Sequence, residues 1–205
     1  MKTILFATTN PAKLDRFKRF IKGVDINVKF LKDLGYVILE PEEVGDTPVE
    51  IAMNKAKHYY DHLKEKIPVV AQDDTMEYIG IPELRGKQLS IKGPVIEKYG
   101  IFTPENSVKY YTELAHKYGG SINIKYNYGF GLCFNNLFKG ESAHLDCVLV
   151  DKKNNITVDG YPMAAIVKKE VDGKQYYSSE MTENQHIKAD HNLIQAVKTL
   201  LTYLD

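Results

Sequence analysis

The sequence carries no excess of charge of either sign. It contains 27 lysine and arginine residues and 27 aspartate and glutamate residues among its 205 residues. Proteins that bind nucleic acid broadly usually show a basic excess, so this balance argues against a nucleic-acid-binding module. It leaves room for a local basic pocket that holds a small phosphorylated ligand. No apolar stretch approaches the length of a membrane span, which predicts that the protein has no membrane partner.

Cysteine is scarce as well. Cys133 and Cys147 are too few for a disulfide framework, and both lie in apolar, strand-like sequence, where a cysteine is usually a small buried hydrophobe. The apolar N-terminal segment, residues 1–7, is too short for the apolar region of a signal peptide. We therefore expect a soluble, cytoplasmic protein. The length suits a single domain, residues 1–205, that can contain two lobes.

The first half of the chain alternates between the patterns of strands and helices. Short apolar runs predict strands at residues 4–7, 26–31 and 68–72. Helical spacing of apolar residues follows the capping residues Asn10 and Thr47, and a further helix is predicted at residues 104–118. Glu50 stands three residues after Thr47, which is the spacing of a capping box. Glycine and proline recur in residues 79–102 and predict irregular structure there.

The second half is typical of an antiparallel β meander followed by a helix. Apolar and polar residues alternate from Ser121, as in a half-buried strand, and further strands are predicted at residues 143–150 and 161–168. Turns are predicted at residues 138–140 and 153–155. One last helix is predicted to begin near Thr182.

Two adjacent carboxylates, Asp73 and Asp74, follow the buried run of residues 68–72 and so are expected at the tip of a strand. Carboxylates in that position are costly to leave unpaired. Mg²⁺ is a good partner because it prefers hard oxygen ligands and also binds phosphates. A solvated turn is the alternative, and it is the more frequent role of an isolated Asp-Asp pair.

A second candidate is the passage from the first strand into the first helix, Thr8-Thr9-Asn10-Pro11-Ala12-Lys13. Free N–H groups and the positive end of the helix dipole favour an anion there. Thr8, Thr9 and Asn10 can donate further hydrogen bonds, and Lys13 adds a positive charge. Simple helix capping, with Lys13 as a surface lysine, is the alternative.

Two further groups of polar residues are weaker candidates. Glu50 lies in the first turn of the second helix, where capping alone explains a carboxylate. Lys55 is five residues after Glu50, so the two side chains do not lie on the same face of the helix, although both can flank one cleft. His186 and His191 are five residues apart, not the four of a metal-binding helical pair, so a surface or capping role is the alternative for both.

The order and spacing of these motifs resemble the inosine triphosphate pyrophosphatase family, which removes non-standard purine nucleotides. The family's Thr-x-Asn-x-x-Lys loop is matched by residues 8–13, and its Glu-Asn-Ala-x-x-Lys-Ala motif by residues 50–56. Its Asp-Asp-Ser-Gly motif is matched by residues 73–76, and its Ser-His-Arg motif by Asp190-His191-Asn192. The resemblance is weakest over residues 79–170.

The chain departs from the family pattern mainly at the end that binds the base. Asn192 stands in place of the family's arginine, and His186 in place of a lysine. The family's Gly-Phe-Gly-Tyr-Asp-Pro signature survives at most as residues 160–163. Closer to the phosphates, Ile51 replaces an asparagine and Met76 a glycine. The resemblance therefore indicates a retained phosphate and metal end and a rewritten base end.

The resemblance also implies the architecture and the activity. The expected fold is α/β, an elongated mixed β-sheet flanked by helices, with two lobes and a central cleft. The approximate lobes are residues 1–120 with 182–205, and residues 121–181. The implied activity is Mg²⁺-dependent hydrolysis of nucleoside triphosphates to monophosphate and pyrophosphate, with Mn²⁺ as an alternative ion. The implied enzyme is a homodimer.

The implied site uses the candidate residues in defined roles. Glu50, Asp73 and Asp74 hold the metal, and Asp73 and Glu50 are the catalytic carboxylates, with Asp73 orienting or deprotonating the attacking water. Asp190 and His191 lie near the base. The residues that bind the triphosphate are Thr8, Thr9, Asn10, Lys13 and Lys55.

A different class of function is the alternative. The chain can be a catalytically weak or inactive nucleotide-binding relative with a regulatory role. Met76 and the rewritten base end favour that hypothesis, while the retained carboxylates oppose it.

Overall fold

A computed structural model describes residues 2–84 and 90–204, and strands from both halves of that chain form one mixed sheet. The strands are Lys2–Phe6 (β1), Ile26–Phe30 (β2), Val69–Ile79 (β3), Ser121–Phe134 (β4), Leu137–Val150 (β5), Val167–Val171 (β6) and Lys174–Tyr177 (β7). Their order in the sheet is β2-β1-β3-β4-β5-β6-β7.

The helices flank this sheet and confirm the predicted α/β class. They are Pro11–Phe20 (α1), Pro48–His62 (α2), Gly93–Tyr99 (α3), Pro104–Lys117 (α4), Glu183–Ala189 (α5) and His191–Thr202 (α6), with 3₁₀ turns at Leu31–Leu34, Pro82–Leu84 and Pro162–Ala165. Within the described ranges, every helix is too short or too polar to cross a membrane.

The sheet is mixed because its two ends are connected differently. β1 pairs in parallel with β2 and with β3, through α1 and α2 as the crossover helices. β6 pairs antiparallel with β5 and with β7. Parallel strands need such crossovers, whereas antiparallel ones can be joined by short turns. The change of sequence pattern near Ser121 therefore marks the change from helical crossovers between parallel strands to short turns between antiparallel strands.

Contacts divide the described residues into two compact units. The first comprises the chain up to Asp74, Tyr128–Ala143 and the residues from Asn192 onward, and the second comprises Thr75–Asn127 and His144–His191. The single domain with its two approximate lobes and cleft stays a prediction.

The first unit has a core in which α1 and α2 pack on β1 and β3. Phe6 of β1 stacks on Phe17 of α1 with ring centroids 4.1 Å apart. Tyr59 of α2 is buried in a cluster with Val69 of β3 and Cys133 of β4. Cys133 and Cys147 are both buried and free, as predicted.

Glycines of β4 let α2 approach unusually closely. A Cβ atom on Gly129 would lie 2.1 Å from the backbone carbonyl carbon of Pro48, and one on Gly131 would lie 2.4 Å from that of Ala52. Any side chain at either position would overlap the helix backbone. These two glycines therefore fix how far α2 stands from the sheet.

The second unit is built on the alternating strand that the sequence predicts. Ile122, Ile124 and Tyr126 of β4 are buried, and the residues between them are more exposed. Tyr111 of α4 is fully buried and donates a hydrogen bond to the Ile91 carbonyl oxygen at 2.8 Å.

Three predictions about strands and turns are wrong. β3 continues to Ile79, so Asp73 and Asp74 lie inside the strand, because Met76 and Tyr78 extend its buried face. Residues 161–168 begin with the 3₁₀ turn at Pro162–Ala165, which proline starts readily, and the strand is Val167–Val171. Residues 138–140 lie within β5, because the turn forms at Asn135 and Asn136, where Asn135 has φ 53°, and β5 starts at Leu137.

Two predictions about helices are wrong as well. Residues 79–102 contain α3, which starts at Gly93-Pro94 and ends at Gly100, while Gly86 lies outside the described residues. The single last helix is two helices, because Asp190 ends α5: its N–H donates to the His186 carbonyl oxygen, and α6 starts at His191.

Candidate active site

The loop before α1 is shaped by its own side chains. The Asn10 Oδ1 atom accepts hydrogen bonds from the N–H groups of Ala12 and Lys13 at 2.9 and 3.4 Å. Thr8 Oγ1 accepts from the Asn10 N–H at 3.1 Å. These contacts are the capping that the sequence predicts, and they fix the first turn of α1 from which Lys13 extends. Thr9 is exposed beside them.

Asp73 and Asp74 are each met by a lysine from a different helix. Lys13 of α1 lies 2.6 Å from Asp74 Oδ1, and Lys55 of α2 lies 2.7 Å from Asp73 Oδ1. Successive side chains of a strand point to opposite faces of the sheet. The two aspartates therefore take their lysines from opposite faces, which is possible because both lie inside β3.

Lys55 also contacts a carboxylate that sequence reasoning missed. Its Nζ atom lies 2.7 Å from Glu43 Oε1 as well as 2.7 Å from Asp73, and its side chain is 12% exposed. Lys55 thus links the acidic loop after β2 to β3. The acidity of residues 40–47 is the signal in the sequence, but which glutamate faces Lys55 depends on the path of the loop.

The two aspartates differ in their electrostatic surroundings. Burial raises the pKa of Asp73 above its usual value of 3.8, and the charges of Asp74 and Glu43 act in the same direction against the opposing effect of Lys55. Burial acts on Asp74 too, but the charges of Lys13 and Arg16 and two hydrogen bonds outweigh it, so the pKa of Asp74 is lowered.

Lys55 remains a cation in this environment. Burial by itself lowers the pKa of Lys55, but the hydrogen bonds and charges of Asp73 and Glu43 outweigh burial, so its pKa is raised from 10.5. Lys55 can therefore offer a full positive charge to an anion.

Glu50 occupies the predicted capping box at the start of α2. Its Oε2 atom accepts hydrogen bonds from the N–H groups of Asp46 and Thr47 at 2.8 and 3.2 Å, and Thr47 Oγ1 accepts from the Glu50 N–H at 3.2 Å. The capping box is confirmed. The metal-binding and catalytic roles of Glu50 stay predictions.

Asp190 and His191, the predicted base-binding residues, belong to the second unit. Asp190 forms a buried ion pair in which Lys169 Nζ lies 2.6 Å from its Oδ1 atom, with side chains 4% and 2% exposed. His191 is exposed and is the first residue of α6. One oxygen of Asp190 is thus engaged by Lys169, and the contact of both residues with a base stays a prediction.

The carboxylates near Lys55 and Lys13 can supply only part of the coordination shell of a hard cation. The described ranges contain no group of three or more histidine, cysteine, aspartate or glutamate side chains arranged for a metal. Mg²⁺ usually takes one or two protein carboxylates and completes its shell with phosphate oxygens and water. Asp73 and Glu43 fit that requirement, because both lie 2.7 Å from Lys55 Nζ. Asp74 faces the other side of the sheet, and its role as a ligand stays a prediction.

The chain is similar to known proteins over its first half. Residues 4–91 match the model of the Ham1 family. A dITP/XTP pyrophosphatase of Caldanaerobacter subterraneus subsp. tengcongensis is 40% identical over 83 residues, 39% of this chain and 40% of the relative. A dITP/XTP pyrophosphatase of a Thermoanaerobacter species is 41% identical over 73 residues, 35% of this chain and 34% of the relative. The match therefore spans well under half of the curated relatives' length.

Solved structures share the fold over nearly the whole chain. A HAM1 protein from Coxiella burnetii superposes with a TM-score of 0.71 at 16% identity, covering 99% of this chain and 100% of that one. A nucleoside-triphosphatase, dITP/XTP pyrophosphatase, from Mycobacterium abscessus gives a TM-score of 0.60 at 16% identity, covering 97% and 98%. These likenesses confirm the predicted mixed α/β fold.

Proposed function

From the match of residues 4–91 to the Ham1 family, we propose that the chain is a member of that family and a nucleoside triphosphate pyrophosphatase. It hydrolyses nucleoside triphosphates to nucleoside monophosphate and pyrophosphate, and its substrates are non-standard purine nucleotides. The names of the relatives, dITP/XTP pyrophosphatase, support this proposal. The choice of the bond that is cleaved rests on the family, because a phosphate-binding site does not by itself select it.

The observation that carries the proposal is the pair of lysine–aspartate contacts on β3. Lys13 and Lys55 are held 2.6 and 2.7 Å from adjacent aspartates by two different helices. Phosphate oxygens of a triphosphate can take over the positive charge of each lysine, and the carboxylates keep the lysine side chains in place before the ligand arrives. Preorganised charges of this kind are what phosphoryl-transfer sites use to bind and orient their substrates.

Asp73 is the best candidate for the group that activates water. A general base works best when its pKa lies closer to neutrality than that of an ordinary carboxylate, and burial shifts the pKa of Asp73 in that direction. Asp74 has the opposite shift and remains an anion. Neighbouring carboxylates whose pKa values are pushed apart are suited to different roles, one moving a proton and the other holding charge.

Mg²⁺ is the proposed cofactor, with Mn²⁺ as an alternative. Asp73 and Glu43 are the residues that would hold it. Asp74 and Glu50 stay predicted ligands, and the carboxylate of Glu50 also caps α2. When bound, the ion neutralises charge on the phosphates. Asn10 and Thr8 shape the turn that presents Lys13, and Thr9 lies exposed beside it.

The remaining parts of the proposal concern the base, the assembly and the location. Asp190 and His191 are proposed to lie near the base, on the strength of the family resemblance alone. The homodimer and the cytoplasmic location are likewise proposals from that resemblance.

A pyrophosphate-release assay over standard and non-standard nucleoside triphosphates, with Mg²⁺ or Mn²⁺, tests the activity. The wild type is expected to release pyrophosphate from at least one non-standard purine nucleotide. Asp73→Asn is expected to lower kcat by at least about a hundredfold, the scale for loss of an acid–base group. Lys55→Met is expected to weaken both turnover and nucleotide binding.

Matched controls lie on the same helix, α2. Lys57 and Asp61 form an exposed ion pair 2.5 Å apart, so Lys57→Met and Asp61→Asn remove the same charges outside the site. Both controls should keep wild-type rates. A nucleoside diphosphate as the main product contradicts the proposed reaction, and nucleotide binding without turnover supports the regulatory alternative.

A further inference from the structure

A row of polar side chains leads away from Asp74 across the first unit. Gln72 Nε2 donates to Asp74 Oδ1 at 3.0 Å, and Arg16 Nη2 donates to Gln72 Oε1 at 3.0 Å. The Arg16 guanidinium also lies over the ring of Tyr128, 5.0 Å from its centroid, with Nη1 3.4 Å from the hydroxyl. Gln72 and Tyr128 are 6% and 2% exposed. Each side chain in this row is therefore held in place by contacts with the next one.

Arg16 decides which way the amide of Gln72 faces. A guanidinium group can only donate hydrogen bonds, so the carbonyl oxygen of Gln72 must point toward Arg16. The amide nitrogen is then left to face Asp74, to which it donates. Without Arg16 the amide can turn over, and its oxygen would then face the Asp74 carboxylate, which also only accepts. The contacts with the ring and the hydroxyl of Tyr128 hold the guanidinium in place.

The same contacts fix the orientation of the Asp74 carboxylate. Lys13 Nζ and Gln72 Nε2 both donate to Oδ1, from different elements. In the part of the chain that the structure describes, these two hydrogen bonds are on Oδ1 and Oδ2 takes none. One oxygen of the carboxylate is thus anchored and the other is kept for a ligand.

Arg16 and Lys13 are three residues apart on α1 and so share one helix face. We propose that Arg16 is a positioning residue of the active site: it fixes the amide of Gln72 and thereby holds Asp74 with Oδ1 anchored and Oδ2 left open to accept from a donor or a cation. Arg16 acts through Gln72 and does not itself touch the substrate. The inference rests on the proposed function for its kinetic consequence and on the contacts above for its geometry.

The sharpest test replaces the amide of Gln72 by a carboxylate. Gln72→Glu keeps the link between α1 and β3, because a carboxylate accepts from Arg16 at least as well as an amide does. It removes the donor to Asp74. A purely structural Arg16 would therefore tolerate this change, whereas a positioning Arg16 would not. Small misplacements of reacting groups can cost about a hundredfold in rate, and we expect kcat to fall at least about tenfold with KM little changed.

Variants of the arginine complete the kinetic test. Arg16→Met should lower kcat as Gln72→Glu does, and Arg16→Lys, which keeps one donor, should restore part of the loss. Arg19→Met removes an arginine from the same helix and should keep the wild-type rate. The proposal is overturned if the kcat of Gln72→Glu stays within about twofold of the wild-type value, as the kcat of the control Arg19→Met is expected to do. Should Gln72→Glu not fold, Gln72→Met removes the same donor without adding charge and is judged by the same criterion.

A second measurement does not depend on activity. The side-chain amide signals of Gln72, identified in a ¹⁵N spectrum by their loss in Gln72→Met, should shift and exchange faster with solvent in Arg16→Met and stay unchanged in Arg19→Met. Unchanged signals in Arg16→Met overturn the proposed orientation. If the wild type releases no pyrophosphate, the proposed function fails while this measurement still decides the role of Arg16. If the wild type is active and Gln72→Glu is too, the function stands and the positioning role fails.

Discussion

At the level of single residues, Asp73 and Asp74 are neighbours in sequence that lie in different chemical surroundings. The alternation of a β-strand turns them to opposite faces, where Lys55 meets one and Lys13 with Arg16 the other. A strand interior is thus able to give two identical side chains different proton affinities. The division of roles between them follows from the position of the pair inside β3.

The lowered pKa of Asp74 predicts how acid affects the folded protein. Its folded pKa is below the usual value of 3.8, so its carboxylate stabilises the fold fully above about pH 3.8, and that contribution is lost as the pH falls through the folded pKa. Asp74→Asn should lower the free energy of unfolding by on the order of 2 kcal/mol near pH 7, the scale for hydrogen bonds to charged groups.

Thermal unfolding of the two proteins from about pH 2.5 to about pH 7, a range that starts below the usual carboxyl pKa, checks this expectation. The difference in Tm should begin to narrow below about pH 3.8. Asp61→Asn, at an exposed ion pair, should show little difference from wild type at any pH. A gap between wild type and Asp74→Asn that stays constant down to the lowest pH contradicts the assignment.

At the level of elements, the distance between α2 and β4 is set by two glycines. Gly131→Ala would bring a Cβ atom to 2.4 Å from the Ala52 carbonyl carbon, so the helix that carries Lys55 must move. Overpacking of this kind costs about 1–3 kcal/mol. Because the overlap is with backbone atoms, which cannot rotate away, we expect the upper end. Turnover should fall with stability, since Lys55 would leave Asp73.

Urea unfolding and the pyrophosphate assay on Gly131→Ala test the point together. Gly93→Ala is the matched control, because its nearest neighbour would be 3.7 Å away and its φ is not positive. Normal stability and activity of Gly131→Ala would mean that α2 can shift at no cost and that its height above the sheet is not set by the glycines.

The junction of α5 and α6 depends on a buried ion pair. Asp190 Oδ1 is engaged by Lys169, while within the described residues its buried Oδ2 has no hydrogen-bond partner. Removing one partner of a buried pair costs about 3–5 kcal/mol, whereas replacing both by apolar residues is often neutral. Lys169→Met should therefore be strongly destabilising, and the double variant Lys169→Met with Asp190→Leu should recover most of the loss.

Equilibrium unfolding of the single and double variants measures this recovery. Lys188→Met breaks an exposed ion pair with Asp172 in the same unit and should have little effect. A double variant as unstable as the single one would indicate that Asp190 is needed for something other than the pairing of charge.

Several elements were predictable from sequence because the signal is local. Asn10 and Thr47 are capping residues that predict the starts of α1 and α2, and both caps are present in the structure. The end of β3 and the break at Asp190 were not predictable, because they depend on partners distant in sequence: the sheet that buries Tyr78 and the lysine that draws in Asp190. Local patterns cannot show such tertiary contacts.

The site was predictable to a similar degree. Lys13, Lys55, Asp73 and Asp74 were found because their motifs resemble a family, and the structure brings them together in the first unit. Glu43 and Gln72 were missed, since neither stands in a motif and each matters through a contact made in space. Arg16 gives no signal in the sequence apart from its place on the face of Lys13.

At the level of the whole molecule, the described residues form two compact units, and the strands of both units belong to one seven-stranded sheet. β3, β4 and β5 each contribute residues to both units. The fold is common to solved structures of 16% identity, whereas the sequence match is confined to residues 4–91. The family match thus covers less than half of the chain, while the shared fold covers nearly all of it.

The ion pairs around β3 have a consequence for how fast the proposed nucleotide substrate reaches the site. The three cations Lys13, Arg16 and Lys55 stand among the three carboxylates Glu43, Asp73 and Asp74, so their charges cancel. The chain as a whole adds no net charge to theirs. A cluster without net charge projects little field beyond a Debye length and does not draw an anion in from solution. Encounter is then governed by diffusion and orientation, and its rate changes little with salt.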